Sequence, residues 1–171
     1  MDRMASIEMA LKNEQTEMEW YQNEAERSEN PLAKAMFLNL ARDEQEHMRR
    51  IRGLHEKLVA DGDWPAEMPI EVAGTDISQT LNDLVGKTGS GENHNHDDEE
   101  AIKKAIEFET NGEMFYKQLA EECKNPQEKT FFEFLAGIER EHRLSLTDSL
   151  AYLQDPQAWL EQHEKINLDG A

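Results

Sequence analysis

The chain has 171 residues, enough for one domain with a sizeable core, and its 18 basic against 37 acidic residues give a formal net charge of −19. That balance excludes nucleic acid and an anionic membrane surface as partners, because no basic stripe exists to displace counterions or meet headgroups. A single cysteine, Cys123, excludes an intrachain disulfide and any CxxC metal site. No apolar run approaches the ~18 residues that span a bilayer, and the acidic start "MDRMASIEMALKNEQ" does not read as a secretory signal, so the expected setting is the reducing cytoplasm.

Hydrophobic residues make up 37% of the chain and charged residues 32%, which suits helices with one apolar stripe and heavily charged outer faces. The first predicted helix runs from about Ser6 to Ser28. Asn30 then reads as the N-cap of a second helix with Pro31 at its first position, where a missing N–H costs nothing. That second helix continues to about Val59 and contains "FLNLARDEQEHMRRI". In it Phe37, Leu40, Ala41, Met48 and Ile51 recur at helical spacing, yet Glu44 and His47 lie on the same core-facing stripe.

A long connection follows, from Asp61 to about Asp98. It holds "DGDWPAEMP", a short amphipathic piece "DISQTLNDLVG" and the polar "KTGSGENHNHDD". At ~3.3 Å per residue it can run back along a bundle about 40 Å long, which would leave the second and third helices parallel.

The chain then repeats itself. Shifted by 95 residues, Ala10 falls on Ala105 and the register holds without a gap to Arg52 on Thr147; 14 of the 43 pairs are identical, where residue frequencies would give roughly two or three. Asn125 and Pro126 repeat the cap, and the fourth helix runs to about Leu153. After Pro156, "QAWLEQHEKINLDGA" suggests a short terminal helix whose Trp159 and Leu160 pack on the outside of the bundle. The predicted fold is all-α: a four-helix bundle of two repeated hairpins joined by a long crossover, within a single domain 1–171. Repeat one covers about 5–59, the crossover about 60–98, repeat two about 99–154, and the tail 155–171.

The repeat answers why a carboxylate and an imidazole point inward. Glu44 and His47 are neighbours on one face, Glu139 and His142 duplicate them, and each first helix keeps one further glutamate, Glu14 or Glu109. The spacing within each copy is 30 residues, Glu14 to Glu44 and Glu109 to Glu139, which sets the pairs level in an antiparallel hairpin. A pseudo-twofold axis then gathers four carboxylates and two imidazoles in the core. Four buried glutamates repel one another. Two divalent cations would balance them, with neutral imidazoles completing the shells. Oxygen-rich ligation with some nitrogen favours two ions of iron or manganese, although zinc could occupy the site. One Glu-x-x-His would mean little in a glutamate-rich helix; two, each with its matched upstream glutamate, carry the metal reading.

The stretches "NEQTEMEWY…DEQEH" and "EFETNGEMFY…IEREH" resemble the rubrerythrin-like members of the ferritin-like superfamily, over both hairpins and most of the chain. The resemblance implies that Glu44 and Glu139 bridge two metals, with Glu14 and Glu109 as terminal carboxylates and His47 and His142 as terminal nitrogens. It also implies a reaction with hydrogen peroxide or dioxygen at a non-haem di-iron centre, in oxidative-stress defence. Two features depart from the family. One cysteine rules out a rubredoxin domain in this sequence, so the electron donor is expected to be a separate protein such as a rubredoxin. Peroxidase-type members carry a second glutamate three residues after the third-helix ligand, and here that position is Gly112. Glu113, one turn after Glu109, leaves two readings, a seventh ligand or a group supporting the ligands from behind, of which the second is favoured.

Ferrous oxidation for iron handling, and a metal-binding module without turnover, stand as alternatives to the redox enzyme. Related proteins pair, so a homodimer is expected, and one chain could still supply all six ligands. Tyr21 and Tyr116 share the ligand stripe and either hydrogen-bond a ligand carboxylate or simply pack. Trp20 and Phe115 are expected in the core, His55 and His163 on the surface, and His94 and His96 in a solvated linker leading to an Asp cap. Cys123 has no basic neighbour to make it a reactive thiolate.

Overall fold

The structure, a computed structural model, describes residues 3–64 and 96–168. Among these residues the chain forms α1 (Arg3–Arg27), α2 (Pro31–Asp61), α3 (His96–Glu122), α4 (Pro126–Gln154) and α5 (Pro156–Leu168), with no strand. The helix ends follow from local chemistry. Asn30 sits in extended backbone, and its side-chain oxygen accepts from the N–H groups of Leu32 at 2.9 Å and Ala33 at 3.2 Å. Asn125 does the same for Gln127 at 2.8 Å and Glu128 at 3.2 Å. Each cap satisfies donors that a helix start leaves open, and is worth about 1 kcal/mol. At the far end of α2, Gly62 takes φ 73°, a left-handed position that favours glycine, and donates to Leu58 O at 3.0 Å.

α1 packs along α2 and α3 along α4, so each repeat is an antiparallel hairpin, and α5 folds onto α4. Two buried clusters fill the bundle. One joins Leu32, Phe37 and Leu40 near the start of α2 to Ile102 and Ala105 near the start of α3. The other joins Ile51, Leu54 and Leu58 late in α2 to Tyr116 and Leu119 late in α3. Starts lie with starts and ends with ends, so α2 and α3 run parallel, as the reach of the crossover allows. The backbone N–H of Asn30 donates to Asp98 Oδ2 at 3.1 Å and fixes the same register at the hairpin turn.

Some expectations shift. The third helix begins at His96, so Asp98 stands in its first turn, beside Asp97 and Glu99, where acidic groups suit the positive end of the helix dipole. It caps the other hairpin's turn instead of its own helix. Trp159 is buried in the first cluster, where its ring meets Tyr152 edge-on at 5.4 Å and its Nε1–H donates to Asp148 Oδ1 at 2.7 Å. Leu160 packs against the same cluster, so the terminal helix lies on the outside of the bundle through both residues, as expected. Trp20 and Phe115 are half-buried at the margins of the two clusters. The amphipathic piece of the crossover and His94 lie outside the described residues.

Candidate metal centre

Glu14 on α1, Glu44 and His47 on α2, Glu109 on α3, and Glu139 and His142 on α4 meet between the two apolar clusters. All four glutamates are 0% exposed. Glu44, Glu109, Glu139 and His142 each offer one ligand atom within 4.8 Å of the others, and so do Glu14, Glu44 and His47. Glu44 belongs to both groups and lies between them. The imidazoles of His47 and His142 face each other, with ring centres 5.5 Å apart and planes 21° from parallel. All six residues singled out by the repeat are therefore brought together.

Each imidazole turns Nδ1 inward. His47 Nδ1 lies 2.9 Å from Glu44 Oε2 and 3.2 Å from Glu14 Oε2. His142 Nδ1 lies 3.3 Å from Glu44 Oε1 and 3.4 Å from Glu109 Oε2. The outer nitrogens differ: His142 Nε2 is 3.6 Å from Asp43 Oδ2, whereas His47 Nε2 is buried without a partner. A carboxylate behind an imidazole fixes its tautomer and ring plane. Of the two readings for the tyrosines, hydrogen bonding holds, and it crosses between repeats. Tyr21 donates to Glu109 Oε1 and Tyr116 donates to Glu14 Oε1.

The electrostatics register crowding. Burial, and next the charge of Glu44, push Glu14 up to about 7. Burial, then Glu109 and Glu17, push Glu139 well above the usual carboxylate range. Burial also opposes ionised Glu44, but the imidazoles of His47 and His142 outweigh it and hold that carboxyl low. Burial likewise opposes a charged His47, yet Glu44 and Glu14 raise its pKa to about 10. Both tyrosine hydroxyls are pushed well above their ordinary value, by burial and then by the carboxylates of the cluster. By itself this set of groups balances only by holding protons; divalent cations would replace them.

Two residues fall differently from the sequence reading. Glu113 has its oxygens engaged by Lys117 and by Arg143 Nε at 3.1 Å, and those cations hold its carboxyl below the usual range. It is not among the residues offering ligand atoms to the cluster. Glu17, not singled out from sequence, is: Glu14, Glu17, Glu44 and Glu139 each bring an oxygen within 4.8 Å of the others. The available signal was its position three residues after Glu14 on the same helix face. Cys123 is partly buried, and burial followed by the nearby Glu128 pushes its thiol up to about 11, in keeping with an unreactive thiol.

A family model described as Rubrerythrin matches residues 6–80 and 100–167. No curated protein and no solved structure matches the chain. Among the described residues no helix is long and apolar enough to cross a membrane.

Proposed function

Because the chain belongs to the rubrerythrin family, we propose that it is a non-haem di-iron carboxylate oxidoreductase that reduces hydrogen peroxide, and more slowly dioxygen, with electrons from a separate donor such as a rubredoxin. Two iron ions are the cofactor in this reading, with manganese or zinc able to take their places. The observation that carries it is a fully buried carboxylate, Glu139, with no hydrogen bond to either oxygen, gathered with Glu44, Glu109 and His142. Orphaned polar atoms in an interior cost stability unless something polar meets them. A donor set of carboxylates with two imidazoles and no thiolate suits divalent iron or manganese.

Glu14 and His47 would hold one ion, Glu109 and His142 the other, and Glu44 and Glu139 would be shared by both. Bound there, a pair of ferrous ions supplies the two electrons that, with two protons, convert one hydrogen peroxide into two waters. The chain's own groups prepare the site. Tyr21 and Tyr116 each hold one oxygen of Glu109 and Glu14, which turns the second oxygen inward. Asp43 Oδ2 lies 3.6 Å behind His142 Nε2. The two apolar clusters above and below exclude bulk water and so strengthen every charge interaction inside. A small recess bordered by His47, Arg50, Ile51, Phe131, Leu135 and Ile138 lies against the His47 ring. The 171 residues hold one cysteine, so a thiolate-bound electron donor lies outside them. A single chain supplies all six ligands, and pairing into a homodimer, in a reducing cytoplasm, is compatible with turnover but not required by it.

The test is anaerobic loading with two equivalents of ferrous ion followed by rapid mixing with peroxide or with dioxygen. The expected result is ferric absorbance that forms faster with peroxide and saturates at two irons oxidised per peroxide. Uptake of many irons per chain into a mineral would overturn the assignment in favour of iron storage, and bound iron inert to both oxidants would reduce the protein to a binding module.

A further inference from the structure

The gapless repeat that matches Glu14 with Glu109 also matches Glu17 with Gly112. The two halves therefore present different surfaces to the same cluster. On α3 there is no side chain at that position, and a Cβ there would come within 3.2 Å of Glu139 Cδ and Oε2. The Glu139 carboxylate fills the space that a residue at 112 would need. On α1 the position carries a carboxylate, and its Oε2 is buried without a hydrogen-bond partner. Glu139, fully buried and with neither oxygen partnered, points into the same group of four carboxylates from the opposite helix. An acidic cluster alone would say little. A completely buried carboxylate with both oxygens orphaned, aimed at Glu14, Glu17 and Glu44, calls for a cation there.

We propose that Glu17 is a seventh protein ligand, added to the group formed by Glu14, Glu44 and Glu139, so that the two positions of the centre are chemically unequal. This rests on the dimetal reading above and goes beyond it, because the six repeated ligands alone predict a pseudo-symmetric pair. Both positions face the shared carboxylates Glu44 and Glu139, and Glu17 adds an oxygen to that group from α1 with no counterpart from α3. The surroundings of the imidazoles differ as well. His142 is backed by Asp43, while the repeat counterpart of Asp43 is Ile138, which borders the recess beside His47. Glu17 is half-buried as a whole, whereas Glu14, Glu44 and Glu139 are fully buried.

The experiment uses the full chain and manganese(II) as probe, with affinity and stoichiometry from calorimetry and the electron paramagnetic resonance of the bound ions. Three proteins are compared: native, Glu17→Gln, and Glu113→Gln as a control whose carboxylate is occupied by Lys117 and Arg143. Circular dichroism confirms that each is folded. Native protein should bind two ions with unequal affinities. Glu17→Gln should weaken one of the two by about tenfold or more, the scale on which even residues behind a ligand act, and alter the spectrum of the bound pair. Glu113→Gln should leave both unchanged. If Glu17→Gln binds both ions as native does, with an unaltered spectrum, the seventh-ligand assignment is wrong while the dimetal reading stands. If native protein fails to bind two ions, the dimetal reading falls, and this inference with it.

Discussion

Replacing Glu14 by glutamine should stabilise the protein in chelator and destabilise it in metal. Glu14 is completely buried, and burial with the charge of Glu44 moves its pKa from 4.5 to about 7. At about 1.36 kcal/mol per pH unit, holding that proton costs the fold about 3 kcal/mol once the solution is above pH 7. The sign follows from the raised pKa. Below pH 4.5 both folded and unfolded chains bind the proton and nothing is lost; as pH climbs towards 7 only the folded chain keeps it, and stability falls. Glutamine removes this titration and can still accept from Tyr116, but it gives up the attraction to His47, whose Nδ1 is 3.2 Å from Glu14 Oε2. A net gain of about 1–2 kcal/mol at pH 8 remains, which is roughly 2–8 °C in melting temperature for a domain of this size. At pH 5 the gain should nearly vanish. With manganese(II) at a hundred times its dissociation constant the order inverts, because native protein gains about 2.7 kcal/mol per site and Glu14→Gln loses part of that. Thermal unfolding followed by far-ultraviolet circular dichroism, at both pH values, in chelator and in metal, reads all four conditions. A variant destabilised in chelator at pH 8, or equally affected at pH 5 and pH 8, would refute the reasoning that these buried carboxylates strain the metal-free fold.

Two further substitutions probe the centre from other sides. Gly112→Ala should add up to about 1 kcal/mol of helix stability in chelator, since Glu139 has no partner to lose when it moves, yet weaken metal binding several-fold because the new methyl displaces that carboxylate; unchanged metal affinity would contradict the 3.2 Å approach. Tyr116→Phe and Tyr21→Phe each remove a buried hydroxyl donated to a carboxylate, so each should cost about 1–3 kcal/mol in urea unfolding of the chelated protein, and an effect below about 0.5 kcal/mol would show that packing alone holds these rings.

The duplication made the centre legible. A single Glu-x-x-His is ordinary in so acidic a sequence, but Glu44 and His47 recurring as Glu139 and His142, each 30 residues beyond Glu14 or Glu109, placed six side chains in one core before any coordinates. The caps at Asn30 and Asn125 were readable for the same reason and set the hairpin turns. What the sequence hid was whatever the two copies do not share. Glu17 faces Gly112 across the repeat, so a comparison that weighs identities passes over it. Glu113 looked available because it follows Glu109 by one turn, but its side of α3 meets Arg143 and Lys117, whose charges claim it. The tyrosines sit on the same stripe as their own glutamates, yet they bond to the glutamates of the other half, a pairing that only the packing of hairpin on hairpin decides. Asp98 looked like a cap because acidic residues precede a helical pattern; where the helix begins is a matter of one or two residues, and its true partner, the N–H of Asn30, is 68 residues away.

The claim beneath all of this is that the inward carboxylates coexist because cations lie between them, and metal analysis of freshly isolated protein tests it most directly. Native protein should carry two divalent ions per chain by elemental analysis, and the double variant Glu44→Ala, Glu139→Ala, which removes both shared carboxylates, should carry none. Native protein free of metal after incubation with iron or manganese, or a double variant that retains both ions, would contradict it.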